Sequence, residues 1–275
     1  MYKYGINLLL WTSNFTEKDL PLLSKAKQLG CDVVEIPLFN PDTFPSDKVK
    51  RELVNNDLEA CVCYGCEADS DVASLNETTR KKGIIRFKTA IDHARIMGVK
   101  KIAGVVYKAG GIFTGTAPKE EEWAASVSSM KEIAQYAQEF DISICIEQIN
   151  RYETYFINTT DDAIQYCMDV NEPNMRVLLD THHLILEELS MREAIIKAGP
   201  YLEHFHASEN NRGIPGTGQV KWEEVYGALK QINYAGWMVI ESFYLGFGNI
   251  WKPVVSSPEE LVTLGLRNLK RFDRE

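Results

Sequence analysis

The sequence predicts an α/β fold, a closed (β/α)8 TIM barrel built as a single domain over residues 1–275. Two observations predict it. Short apolar runs and helix-like stretches alternate eight times along the chain, and strands that alternate with helices form a parallel sheet. Eight such units within one chain of this length fit a closed barrel rather than an open sheet. No linker, low-complexity segment or strong internal repeat interrupts the series.

The first four strands are read at GINLLL (5–10), DVVEIP (32–37), EACVCY (59–64) and KIAGVV (101–106). Each is a short, mostly apolar run, as a strand covered on both faces requires. The next four are ISICIE (142–147), MRVLLD (175–180), LEHFH (202–206) and WMVIE (237–241), and each ends on an acid or a histidine. The clearest helix is 118–140, opened by Pro118 with Glu120, Glu121 and Glu122 in its first turn, where proline and acids belong. Its apolar residues Trp123, Val127, Met130, Ala134 and Ala137 step by four and three, one face of a 3.6-residue period. The last helix opens at Ser257 as N-cap with Pro258 in its first position.

Composition narrows the function. Hydrophobic residues make up 45% of the chain, enough for a large core, and the net charge is −9. An acidic surface disfavours nucleic acid or an anionic membrane as partner, since both reward a basic footprint. No apolar run is long enough for a membrane span or a signal segment, so a cytoplasmic location is expected. Of six cysteines, Cys31, Cys61, Cys63 and Cys145 fall in or beside strand runs and are expected to be buried. Cys66 is the one expected to be exposed. The spacing Cys63-x-x-Cys66 has no second Cys/His pair to complete a zinc site.

The chemistry is expected at four strand ends: Glu147, Asp180, His206 and Glu241. In a barrel, these positions and the loops after them line the active mouth. An ionised group at the end of an oily strand is costly unless something pairs with it. Four on consecutive strands point to one shared partner, and three carboxylates with one imidazole suit a divalent metal such as Mn²⁺, Mg²⁺ or Co²⁺. Taken singly, each has an ordinary explanation as a cap, an ion-pair partner or a satisfied core residue. A second polar residue follows three of them into the adjoining loop: Glu153 after Glu147, His183 after Asp180 and Arg212 after His206. His204 should lie one layer deeper than His206 on the same side and serve structure, and His183 is favoured over its neighbour His182. Gly216-Thr217-Gly218 lacks the rest of a phosphate or dinucleotide motif and reads as a turn. Trp11, Tyr107, Phe243, Phe247 and Trp251 are candidate rings for a sugar face.

The spacing Glu147–Asp180–His206–Glu241, with NRYE (150–153), DTHH (180–183), HASENNRGIPGTG (206–218) and ESF (241–243), resembles the ketose 3-epimerases of the D-tagatose and D-psicose (allulose) group. The resemblance covers nearly the whole chain. It implies inversion of C3 of a free ketose through an enediolate, with one divalent ion per subunit, Mn²⁺ first and Co²⁺ or Mg²⁺ as alternatives. It implies that the four ligands hold the ion, which chelates the substrate's O2 and O3, and that Glu147 and Glu241 exchange the C3 proton from opposite faces. Glu153, His183 and Arg212 are implied to bind the oxygens around O1 to O3, and a homodimer or homotetramer is implied. Asn7, where many members carry an aromatic, and His182, in place of a Phe-like residue, depart from the pattern.

Competing readings are an aldose–ketose isomerase of the hydroxypyruvate or rhamnose isomerase type, an inosose dehydratase and a non-catalytic sugar-binding barrel. A DNA-repair endonuclease would call for several zinc ions and more than the five histidines present.

Overall fold

The structure, a computed structural model, describes residues 2–248 and 250–274. Eight parallel strands close into a barrel in sequence order, with β1 hydrogen-bonded to both β2 and β8. They are β1 (Lys3–Asn7), β2 (Val33–Pro37), β3 (Glu59–Cys63), β4 (Lys101–Gly104), β5 (Ser143–Glu147), β6 (Met175–Asp180), β7 (Leu202–His206) and β8 (Trp237–Ile240). Around them run helices α1 (Pro21–Gln28), α2 (Ser46–Asn55), α3 (Glu77–Met97), α4 (Glu120–Gln138), α5 (Thr160–Val170), α6 (Thr181–Glu187), α7 (Met191–Ala198), α8 (Trp222–Gln231) and α9 (Pro258–Arg274). All eight expected strands are present, several shorter at their ends.

Alternation along the strands divides the core in two. Outward residues such as Ile6, Val34, Ile36, Val62, Ile144 and Phe205 join the large apolar layer beneath the helices. Inward residues Cys61, Ala103, Cys145 and Leu178 form a small separate cluster inside the barrel, with Trp237 packed against it. Three of those four side chains are small, and the barrel interior above them is taken up by polar groups.

Three expectations are corrected locally. Strand one stops at Asn7 instead of Leu10, because the Asn7 side chain accepts from the Leu9 N–H and caps a short 3-10 turn over Leu8–Leu10. The 118–140 helix starts at Glu120, with Pro118 outside it and Lys119 as N-cap. The stretch after Asp180 is not a loop but the helix α6, whose N-cap is Asp180 itself. At the last helix, Ser257 Oγ accepts from the Glu260 N–H at 3.1 Å, as its N-cap role requires. No helix among the described residues is long and apolar enough to cross a membrane.

Candidate active site

The four strand-end residues converge. Glu147, Asp180 and His206 close their strands, Glu241 directly follows β8, and all four are buried. One ligand atom from each lies within 4.8 Å of the other three. His206 presents Nδ1, which is 3.5 Å from Glu147 Oε1, 3.6 Å from Glu241 Oε2 and 4.0 Å from Asp180 Oδ2. Among the described residues, neither His206 Nδ1 nor Glu147 Oε1 has a hydrogen-bond partner. Leaving a buried polar atom bare costs about 1–3 kcal/mol. A cation between them would satisfy both.

A residue that the sequence reading passed over fixes this arrangement. Glu35, fully buried in β2, accepts at Oε2 from Nε2 of both His206 (2.9 Å) and His204 (2.7 Å), and at Oε1 from Asn7 Nδ2 (3.0 Å). An ionised carboxylate only accepts. Each imidazole, when neutral, therefore keeps its proton on Nε2, and Nδ1 of His206 is left facing the three acids. A carboxylate that holds the far nitrogen in this way is the usual support of a metal-bound histidine. Asn7 Nδ2 also reaches Glu241 Oε1 at 3.1 Å, so this departure from the family pattern links two acids. The signal was present: an acid at an inward position of an otherwise apolar strand.

Charge supports the same fit. Glu147, Asp180 and Glu241 are buried beside the guanidinium of Arg212, with a fourth buried carboxylate, Glu35, behind His206. Arg212 Nη1 donates to Asp180 Oδ2 (2.5 Å), Glu241 Oε2 (3.0 Å) and Ser208 Oγ (3.0 Å). Its backbone sits at φ 59°, a conformation that side chains adopt at a cost. The loop holds it there: its N–H donates to Glu209 O and its carbonyl accepts from Ser242 Oγ. Burial alone would raise the Asp180 pKa, but Arg212 and the nearby histidines hold that carboxyl well below the usual range. Glu147 goes the other way, pushed up to about 8 by burial and by the negative charge of Glu241. His206 is held well above an ordinary imidazole by Glu35 and Glu241, against the opposing effect of burial. The donor set and the excess negative charge fit one divalent cation.

His183 stands on α6 with Nδ1 2.9 Å from Asn150 Nδ2 and 3.2 Å from the Asn150 N–H. A backbone N–H can only donate, so Nδ1 accepts and the ring proton is on Nε2. Burial keeps the ring neutral, far below its ordinary pKa. Its Nε2–H and Arg212 Nη2 lie 3.2 Å apart as two donors beside one space. That space is a cavity of about 140 Å³ lined by Glu147, Glu153, His183, Arg212, Glu241 and Phe243 among others. Glu153 is held at its rim by Asn150 Nδ2, 2.8 Å from Oε1. All seven predicted site residues are thus gathered at one barrel mouth, Asp180 and His206 beneath the cavity and the other five lining it.

The remaining expectations divide. His204 is one layer down and bonded to Glu35, as alternation required. His182 is turned aside, its Nδ1 3.3 Å from Glu209 O, with its pKa lowered to about 4 by burial and by Arg212. Tyr107 is not a surface ring: it is fully buried, and its hydroxyl donates to the Glu147 carbonyl at 2.9 Å. Trp11 packs under Lys25, and Phe243, Phe247 and Trp251 line cavities at the mouth. Cys66 is the least buried cysteine but is partly covered, and its Sγ donates to Val106 O at 3.1 Å.

A family model described as the xylose isomerase-like TIM barrel matches residues 23–272. The D-psicose 3-epimerase of Ruminiclostridium cellulolyticum is 31% identical over 99% of this chain and 94% of its own length. The chain belongs to the ketose 3-epimerases, within the xylose isomerase-like TIM barrels. The L-ribulose 3-epimerase of Methylomonas sp. is 34% identical over 88% of this chain and 84% of that protein. A crystal structure of D-allulose 3-epimerase from Methylomonas sp. in complex with D-allulose matches with a TM-score of 0.93 at 30% identity, covering 98% of this chain and 96% of that one. The protein is therefore an enzyme with sugar epimerase activity, as the resemblance implied.

Proposed function

We propose that this ketose 3-epimerase inverts C3 of a free ketose by exchanging the C3 proton between Glu147 and Glu241, with Glu147, Asp180, His206 and Glu241 holding one divalent cation. Mn²⁺ is the first choice, with Co²⁺ or Mg²⁺ as alternatives that hard oxygen donors and one imidazole also accept. When bound, the cation would act as a Lewis acid on the ketone and neighbouring hydroxyl oxygens, making the C3 proton acidic enough to remove. The observation that carries the reading is the placement of Glu147 at the end of β5 and Glu241 just after β8, three strands away, both lining one small cavity. Inversion needs one base on each face of the carbon, and this pair supplies two. The relatives named above are 3-epimerases of D-psicose (allulose) and L-ribulose, which supports a free ketose as the substrate.

The other residues have matching work. The neutral His183 offers Nε2–H, and Arg212 offers Nη2, toward the oxygens on which charge grows as the proton leaves; fixed donors of this kind are a main source of rate. Glu153 accepts from a substrate hydroxyl at the rim. Asn7 and Glu35 keep Glu241 and His206 in place. A homodimer or homotetramer of such subunits is the expected assembly, measurable by light scattering.

Running the reaction in D₂O tests the proposal. Deuterium should enter the product at C3 and not at C1. Deuterium at C1 together with an aldose product would make the protein an aldose–ketose isomerase instead.

A further inference from the structure

The inner cavity is too small for a whole substrate. Its volume of about 140 Å³ falls well below the roughly 300–1,000 Å³ typical of pockets that enclose a small molecule. It continues into an outer chamber of about 1160 Å³, and the two share Phe39, Gly65, Val105, Ile149 and Glu153 as walls. A second side chamber shares only Glu153 and Arg212 with the inner cavity. The route outward from the reacting carbons therefore leads into the large chamber. Its walls come chiefly from the loops after β1 to β4: Ser13 and Asn14, Asn40, Glu67 and the glycine-rich turn at Gly110 and Gly111.

Two properties of this chamber define what fits it. Phe39, Phe113 and Phe247 offer ring faces beside Ser13, Asn14 and Asn40, the mixture of apolar faces and few fixed polar groups that ligand sites use. Phe113 is half exposed and lies in that opening. The charged side chains among the lining residues are Glu67, Arg86 and Glu153. Arg86 is already engaged, by the Phe39 carbonyl and by Glu67 Oε2 at 3.3 Å. Acids outnumber bases there, so a phosphate ester carrying about −1.5 to −2 charge would be repelled. A neutral, hydroxyl-rich ring meets no such penalty.

We infer that the outer chamber is a second sugar subsite, and that the enzyme accepts ketoses carrying a neutral glycosyl group at the end remote from C1. This rests on the reading above, in which the C1 to C3 end occupies the inner cavity beside His183 and Arg212. Epimerisation is unchanged by it: the C3 proton leaves to one glutamate, the other delivers a solvent-derived proton to the opposite face, and the glycosidic bond takes no part.

Three ketoses test the inference on the Mn²⁺-loaded enzyme: D-fructose, its 6-O-α-D-glucopyranosyl derivative and D-fructose 6-phosphate, each followed by product chromatography and deuterium entry at C3. The glucosyl ketose should turn over with kcat/KM at least equal to that of fructose, and the phosphate about tenfold or more below both. Asn14→Trp, at the exposed lip of the chamber, should raise KM for the glucosyl ketose about tenfold and leave fructose unchanged. Fructose turned over while the glucosyl ketose stays inert overturns the subsite and leaves the C3 reading standing. Preference for the phosphate, or equal losses for both sugars in Asn14→Trp, also overturns it. If none of the three is turned over, the C3 reading fails for D-ketohexoses, and the subsite fails with it.

Discussion

Replacing Glu35 by Gln separates support of the metal site from direct ligation. The carboxylate accepts three buried hydrogen bonds, at 2.7, 2.9 and 3.0 Å. Burial opposes its charge, but His206 and His204 hold its pKa well below the usual carboxylate range. An amide of the same shape can still accept from the two imidazoles through its oxygen. Its NH₂ then meets Asn7 Nδ2, a donor against a donor, because Asn7 Oδ1 is already used by the Leu9 N–H. The charge that raises the basicity of His206 is lost as well. Removing an outer partner of a metal-bound histidine weakens metal binding about 10–100-fold, or roughly 1.4–2.8 kcal/mol. That agrees with the loss of about one charge-assisted hydrogen bond, roughly 1.5–3 kcal/mol. Titrating Mn²⁺ into chelator-stripped protein by calorimetry measures the affinity directly. In parallel, the rise in melting temperature on adding Mn²⁺ should shrink by roughly 3–10 °C. That metal-induced difference is the readout, because the metal-free melting temperature also reports general packing. A folded Glu35→Gln protein that binds Mn²⁺ within about twofold of the parent would refute the argument.

Three further outcomes are expected. Asp180→Ala and His206→Ala should lose both Mn²⁺ binding and the metal-induced rise in melting temperature, since an ion that binds only the folded state stabilises it; unchanged metal content would exclude these ligands. Glu147→Gln and Glu241→Gln should each cut epimerisation by about 10²- to 10⁴-fold with metal still present, and wash-out of the C3 proton from only one of two epimers would identify the surviving base. Metal affinity should rise with pH up to about 8, by up to roughly a hundredfold per unit, because the raised Glu147 and His206 hold two protons that the cation must displace; calorimetry in buffers of different ionisation enthalpy counts them. Glu147 also predicts the sign for metal-free protein. A carboxyl whose folded pKa is raised stabilises while protonated, and that contribution is lost as pH rises from its unfolded value through about 8.

The barrel and its chemistry were legible for different reasons. β5 to β8 could be read with their ends because each apolar run stops on an ionisable residue, a pattern that costs energy without a partner. Glu35 escaped because it sits within its strand, where a single acid looks like an exposed edge or an ion pair. Only barrel closure brings β2 opposite β7 and sets Glu35 under His206. Tyr107 misled for a related reason. Its position just past β4 matches a mouth residue, yet the chain bends inward and buries the ring against Phe156. The α6 helix was missed because His182 and His183 carry little helical preference. What starts it is the Asp180 cap, a contact between a side chain and the backbone that periodicity does not report.

That cap has a consequence for how the enzyme can be altered. Asp180 gives Oδ1 to the His182 N–H at 2.8 Å and turns Oδ2 to Arg212 and the acid cluster. One carboxylate is both the peg on which a helix hangs and part of the charged floor, and His183 rides on that helix one turn away. Any change that tilts the helix to suit a new sugar also pulls on the floor, so substitutions at residues 181–187 should trade sugar preference against ion retention. The turn after β1 has a tether of its own, since Asn7 caps it through Oδ1 and reaches Glu35 and Glu241 through Nδ2, so libraries aimed at broadening the substrate range belong farther out, at Asn14, Asn40 and Glu67.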